Sequence, residues 1–250
     1  MRNDPLPSRH VLVTGAAGAI GRPVCAELTR RGHRVRALDI RPVPDVPDAV
    51  VADVADAGAV DAAVDGVDCV LHLGAYPDEA DFMSELLGPN VVGVYNVCDA
   101  ARRHGVKRLV LTSSGQVIQA KPWRQRMIRL DETLEPLGHY AATKAFAEAM
   151  AFVYAHKHGM SVIVVRPDSF PREASHVADL EQDERTAAIY LSPGDAGRFY
   201  AACVEAPNVS YAVLFATSRA KGPMAFDVEP AKQVIGYEPK DTWPEGCPKF

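Results

Sequence analysis

An α/β fold, with a parallel sheet of about seven strands and helices on both faces, is what this sequence predicts. Three observations carry that prediction. Short apolar runs alternate with longer amphipathic stretches along most of the 250 residues, the pattern of strand–helix–strand units. The runs are apolar throughout, as expected when helices cover both faces of a sheet. A glycine-spaced turn, Thr14-Gly-Ala-Ala-Gly-Ala-Ile-Gly21, joins the first run to the first helix.

The strand-type runs fall at His10–Thr14, Arg34–Leu38, Ala49–Ala52, Asp68–His72, Arg108–Thr112, Val162–Arg166 and Tyr211–Ala216. Helices are expected between them at Gly18–Arg31, Asp56–Val64, Asn90–His104, Tyr140–His158 and Pro193–Glu205. Pro193 suits the first turn of the last one, where a missing N–H costs nothing. Residues 170–191, rich in Asp, Glu and Arg, read as one irregular excursion.

Composition narrows the function. With 48% hydrophobic residues, 24% charged and a net charge of -5, the chain reads as a soluble protein with one sizeable core. Residues 10–250 are expected to form one domain, in which 168–192 and 218–250 contribute a small substrate-side portion. The acidic balance argues against a nucleic-acid footprint. No apolar run approaches the ~20 residues of a membrane span. Residues 1–9 have no apolar h-region and read as a flexible tail, not a signal peptide. The five cysteines are scattered, with no C-x-x-C, which suits buried thiols in a reducing cytoplasm.

Gly15, Gly18 and Gly21 follow an apolar run and open a helix. Glycine at these points lets the chain turn tightly and brings backbone N–H groups against a pyrophosphate at a helix N-terminus. With Ala17, Ala19 and Ile20 between them, they predict a doubly wound, Rossmann-type sheet binding a dinucleotide. Asp39 closes the second run, where a carboxylate accepts from the adenosine ribose hydroxyls and repels a 2′-phosphate, favouring NAD. Arg41, two residues on, softens that exclusion. Asp53 reads equally as an adenine contact or as a carboxylate at the start of the next helix. Small residues at Gly74 and Ala75 let a ligand lie close to the backbone at the sheet's carboxyl edge. Ile40, Val54, Leu73, Asn90 and Pro167 complete the expected cofactor wall, with an N-cap as the plainer reading of Asn90.

Tyr140 and Lys144 stand four residues apart, so on a helix they share a face. A free tyrosine titrates near ~10, and bringing it to neutrality takes ~4 kcal/mol. A nearby ammonium supplies part of that. The pair predicts a base that takes a proton from a hydroxyl beside a nicotinamide. No Cys, His or acidic spacing predicts a metal site. Ser114, His139 and Asp131 lack the G-x-S-x-G elbow of a hydrolase.

These motifs together, with His72-Leu-Gly-Ala75, Asn90-Val-Val-Gly-Val-Tyr-Asn96, Leu111-Thr-Ser-Ser114 and Val165-Arg-Pro167, resemble the extended short-chain dehydrogenase/reductases, the NAD-dependent epimerase/dehydratase group. Within that group the chain looks most like the uronate dehydrogenases, on Ala100-Ala-Arg-Arg-His-Gly105, Tyr190-Leu-Ser-Pro-Gly-Asp195 and Gly236-Tyr-Glu-Pro-Lys-Asp241. The resemblance implies a catalytic Ser114, Tyr140 and Lys144, with Tyr140 as base, Ser114 polarising the reacting oxygen and Lys144 binding ribose. It also implies that Arg185 holds a sugar carboxylate. An arginine paired with Asp183 or Glu181 is the alternative. The substrate side would comprise Tyr76, Pro77, Ser114, Gly115, Gln116, Ser169 and Arg185. The chain departs from the uronate dehydrogenases in carrying Tyr76-Pro77 where they have a serine, and Gly115 where they have asparagine.

The function expected is NAD-dependent hydride transfer from a small sugar-like or uronate-like substrate. A nucleotide-sugar epimerase or dehydratase is a second reading, which the short C-terminal portion disfavours. A non-catalytic NAD(P) sensor is a third, which would not need Ser114, Tyr140 and Lys144 together. A homodimer or higher homo-oligomer is expected through helices Asn90–His104 and Tyr140–His158, whose Val91, Val94, Tyr95, Cys98, Phe146, Met150 and Val153 exceed one sheet-facing stripe.

Overall fold

A computed structural model describes residues 8–250; residues 1–7 of the expected tail lie outside the described residues. The strands are β1 (His10–Thr14), β2 (Arg34–Asp39), β3 (Asp48–Val51), β4 (Cys69–His72), β5 (Arg108–Thr112), β6 (Ser161–Pro167) and β7 (Tyr211–Ala216). They form one sheet in the order β3-β2-β1-β4-β5-β6-β7, and every pairing is parallel.

Strand periodicity splits the core in two. Val11, Val13, Val110, Ile163 and Val165 face one layer, which is closed by α1 (Gly21–Arg30) and α7 (Pro193–Glu205). The intervening residues Leu12, Leu109, Leu111, Val162 and Val164 face the other, under α2 (Ala57–Val64), α3 (Gly93–Arg103) and α4 (His139–His158). Both faces of the central strands are therefore apolar, which is why their sequences show no polar alternation.

Four differences from the sequence reading have local causes. The helix expected from Asn90 begins at Phe82, as a π-helical segment Phe82–Val92 that runs into α3. Pro89 lies inside it; proline has no N–H and disrupts an ordinary α-helical ladder, so the sequence hides the helix. Asp81, not Asn90, caps it, accepting from the amides of Met83 at 3.1 Å and Ser84 at 2.9 Å. The helix expected from Gly18 starts at Gly21. The excursion at 170–191 contains α5 (Ala174–Gln182) and α6 (Glu184–Ala187), and the tail carries α8 (Glu229–Ile235). A third cluster lies beside α6, in which Phe215 and Phe226 stack at 4.6 Å with Ile128, Ala188 and Ile189 nearby, while α8 packs on the first core through Ala231 and Ile235.

A buried polar knot ties the tail down. Asp195, with no exposed surface, accepts from Ser218 Oγ at 2.8 Å, Arg198 Nη2 at 2.7 Å and the amides of Lys240 and Asp241 at 3.0 Å each. No helix among the described residues is long and apolar enough to cross a membrane. Cys25, Cys69, Cys98 and Cys203 are buried thiols.

Candidate active site

Strand order reverses between β1 and β4, because β1 continues outward to β2 and β3 while β4 continues to β5, β6 and β7. Doubly wound sheets bind ligands in the crevice at this point, beyond the carboxyl ends of the strands. A cleft of about 740 Å³ opens there.

The glycine turn forms one wall. Gly15 has φ +69°, and a Cβ on it would come within 2.7 Å of Gly74 N; a Cβ on Gly21 would meet Gly15 O at 2.2 Å. Only glycine lets β1 turn this sharply against β4 and start α1 at once. The N-terminus of α1 has no side-chain cap, so its first amides face the cleft with the positive end of the helix dipole behind them. Ala17, Gly18, Ala19 and Ile20 line the same wall.

Asp39 lies at the mouth, 6% exposed, with its oxygens accepting from Ala17 N and Arg41 N at 2.9 Å each. Those bonds fix the carboxylate against the loop and leave its remaining lone pairs toward the cleft. Ile40, Asp53, Val54, Leu73, Gly74, Ala75, Tyr76 and Pro77 continue the lining. Asp53 accepts from Ala55 N at 2.8 Å, while the cap of α2 is Asp56, accepting from Gly58 and Ala59. The helix-start role therefore belongs to Asp56.

Four expected cofactor residues, Asn90, Tyr140, Lys144 and Pro167, are not part of the cleft wall. Asn90 is buried, accepting from Tyr76 N at 2.7 Å and donating to Tyr76 O and Thr143 Oγ1 at 3.1 Å each. Both ends of its amide are committed, so it braces the Tyr76 loop against α4. Pro167 is buried in register with Ala216 of β7.

A second cavity, of about 300 Å³, is lined by Gly115, Gln116, Asp168 and Ser169, with Trp123, Arg124, Asp179 and Gln182 around the rim. Ser114, Tyr140 and Lys144, all under 8% exposed, line neither space themselves but touch residues that do: Lys144 Nζ donates to Thr112 O at 3.2 Å, with Thr112 on the cleft, and Ser114 Oγ accepts from Gln116 N at 3.1 Å, with Gln116 on the cavity. The Tyr140 phenol feels Arg172 of the cleft and Asp168 of the cavity.

Burial dominates the electrostatics. It pushes the Tyr140 phenol up to about 12, against the pull of the Ser114 hydroxyl and the Arg172 charge. It holds the Lys144 ammonium down to about 8, with Nζ 5.6 Å from the tyrosine ring centre. The expected lowering of Tyr140 by Lys144 is thus overturned in this state: loss of solvent outweighs a cation at that distance. His72 is driven down to about 3 by burial and by Lys144, so it is neutral, with Nδ1 bonded to Thr14 Oγ1 at 2.7 Å.

Arg185 pairs with neither Asp183 nor Glu181, and it does not line the small cavity. Its guanidinium donates to the backbone carbonyls of Trp123 and Pro223, and Asp183 pairs instead with Arg124 at 2.6 Å. Arg185 is a staple under the third cluster and reaches no cavity wall.

Several residues with a part in the site escaped the sequence reading. Glu79 accepts from the amides of His139 and Tyr140 at 3.0 and 2.9 Å, fixing the start of α4. Arg172 borders the cleft and bridges to Asp78 at 2.7 Å. Arg22, in the first turn of α1, lines the cleft and donates to Ala17 O; a basic residue directly after the glycine loop was its one legible signal. Glu148 takes Arg166 through two bonds of 2.7 and 2.8 Å and Ser113 Oγ at 2.6 Å, locking α4 to β5 and β6. Among the described residues no group of three or more His, Cys, Asp and Glu stands where it would hold a metal.

A dinucleotide crevice that ends on a buried serine, tyrosine and lysine places the protein among the Rossmann-type NAD-dependent oxidoreductases. The family model described as "NAD dependent epimerase/dehydratase family" matches residues 11–171, and the chain belongs to that family. It is 33% identical to a uronate dehydrogenase of Pseudomonas syringae pv. tomato, over 94% of this chain and 83% of that one. It is 29% identical to an L-arabinose 1-dehydrogenase (NAD(P)(+)) of Haloferax volcanii, over 93% and 97%. The fold superposes on a mutant uronate dehydrogenase of Agrobacterium tumefaciens complexed with NAD at a TM-score of 0.82, with 31% identity over 94% of this chain and 86% of that one.

Proposed function

We propose that the protein oxidises a small sugar or sugar acid at a hydroxyl- or hemiacetal-bearing carbon, with NAD in the large cleft and the sugar in the small cavity. The carrying observation is that Ser114, Tyr140 and Lys144 are buried together and touch residues of both spaces: Lys144 Nζ donates to Thr112 O of the cleft, and Ser114 Oγ accepts from Gln116 N of the cavity. When bound, NAD supplies the hydride acceptor and a positively charged ring. The uncapped N-terminus of α1 suits its pyrophosphate, and Asp39 suits unmodified ribose hydroxyls. Lys144 holds the nicotinamide ribose, Ser114 Oγ holds the reacting oxygen, and Tyr140 Oη takes the hydroxyl proton. Stacked sheet, helices and loop keep that proton transfer away from water.

The two cavities differ in size as this reading requires: about 740 Å³ for a dinucleotide and about 300 Å³ for a monosaccharide. The small one gives little room to a nucleotide sugar. The sugar side is drawn from the 115–124 and 168–189 segments, with Phe226 from the C-terminal portion. The exposed face of Val92, Tyr95, Phe152 and Val153 supports a homo-oligomer built through α3 and α4, and buried free thiols fit a reducing cytoplasm.

An absorbance assay for NADH against aldoses, uronates and hydroxy acids tests the reading. Turnover of a sugar-class compound is expected, and turnover confined to other classes contradicts it. Because the phenol sits near 12, and a base must be deprotonated to act, rate should climb with pH through 7 to 9; a fall over that window contradicts Tyr140 as base. NAD should bind more tightly than NADP by calorimetry, and Asp39→Ala should narrow the gap.

A further inference from the structure

At the end of β6 stands a carboxylate with no partner in the scheme above. Asp168 lines the small cavity beside Gly115 and Ser169, and a Cβ built on Gly115 would lie 1.8 Å from Asp168 Oδ2. Any side chain at position 115 collides with the carboxylate. With no side chain at position 115, the Asp168 carboxylate occupies that space.

The nearby cations each have partners, although Arg166 Nη1 and Arg185 Nε are buried with none. Arg166 pairs with Glu148 and Arg172 with Asp78, each at 2.7 Å. Arg124, on the rim of the same cavity, pairs with Asp183 at 2.6 Å. Arg185, expected to grip a substrate carboxylate, is bound to backbone carbonyls instead. The Ser169 amide donates to Ile189 O at 3.1 Å. A second carboxylate, Asp179, shares the cavity wall. The cavity lining thus holds two carboxylates, Asp168 and Asp179, and one cation, Arg124, which is paired with Asp183, a set that suits a ligand presenting hydroxyl donors better than one presenting an anion. Above about pH 7, where Asp168 is ionised, a ligand carboxylate there meets like charge, which is unfavourable.

We propose that Asp168 selects the substrate. Its two oxygens take hydroxyls of a neutral sugar, and it turns away a sugar whose own carboxylate would enter the space beside Gly115. This rests on the sugar-oxidation reading and sharpens it toward neutral aldoses over uronates. Desolvation also raises the Asp168 carboxyl to about 7, so the discrimination should be strongest above neutral pH.

The test compares kcat/KM for a neutral hexose and pentose with that for the matching hexuronate, in wild type, Asp168→Asn and Asp168→Ser, with NAD affinity measured by calorimetry as the folding control. The large cleft lies apart from Asp168, so NAD affinity should hold in at least one variant. Wild type should prefer the neutral sugar. The variants should lose roughly 10–100-fold on it, the range expected when a hydrogen bond to a charged acceptor is removed, and the neutral-to-acid ratio should fall at least tenfold. A wild type that prefers the hexuronate, or variants with the wild-type ratio, overturns the proposal while leaving sugar oxidation standing. A wild type that binds NAD yet turns over no sugar overturns both. Loss of NAD affinity in both variants makes Asp168 a structural residue and also overturns the proposal.

Discussion

At Lys144 the need for a buried cation conflicts with the stability of the fold. Its ordinary value of 10.5 falls to about 8 on burial. Below pH 8 both folded and unfolded chains carry the proton, and the folded state bears the whole cost of the buried charge. Between about 8 and 10.5 the unfolded chain binds more protons, so this part of stability rises with pH. Lys144→Met should therefore stabilise the protein at pH 7, by at most about 3 kcal/mol, with the gain fading toward pH 10.5 and turnover lost. Urea denaturation at several pH values measures it; destabilisation at every pH would show that the ammonium is compensated. The sequence displayed the Tyr140–Lys144 spacing and the glycine loop because both are local patterns. It did not display Asp168 or Glu79, whose roles arise from contacts with Gly115 and with the start of α4, far away in the chain.

Elements hold the site through one buried knot. Glu148 on α4 receives Arg166 of β6 and Ser113 beyond β5 with almost no solvent, the paired side chains being 8% and 4% exposed. Removing one partner strands a buried charge. Glu148→Leu should cost about 3–5 kcal/mol, and Glu148→Leu with Arg166→Met together should cost less than Glu148→Leu alone. A double mutant weaker than that single would mean the pair is net stabilising. Strands were readable from apolar runs, and β1, β5 and β7 fall at the residues expected. The segment Phe82–Val92 was not, because Pro89 argues against a helix unless hydrogen bonds widen to the π pattern. Helices α5, α6 and α8 were hidden for another reason: at four to nine residues they owe their order to packing on the sheet.

For the whole molecule, alternation of side chains along β1, β5 and β6 builds two cores around one sheet, and the strand-order reversal opens the crevice. The sequence reading counted Val94 and Cys98 toward a second apolar face. Both are buried in the chain's own core, whereas Tyr95, Phe152 and Val153 are exposed. These exposed apolar side chains on α3 and α4 are the surface through which an oligomer would form. Light scattering at micromolar concentration should give an oligomer, and Tyr95→Glu with Val153→Lys should give a monomer; a wild-type monomer contradicts the assembly. The central claim is that Tyr140 accepts the substrate proton between an NAD cleft and a sugar cavity. The most direct measurement pairs NADH production with NAD affinity in wild type and Tyr140→Phe. Removing a general base costs about 10²–10⁴-fold in rate, so turnover should fall by that factor while NAD binds as before; wild-type turnover in Tyr140→Phe would contradict the account.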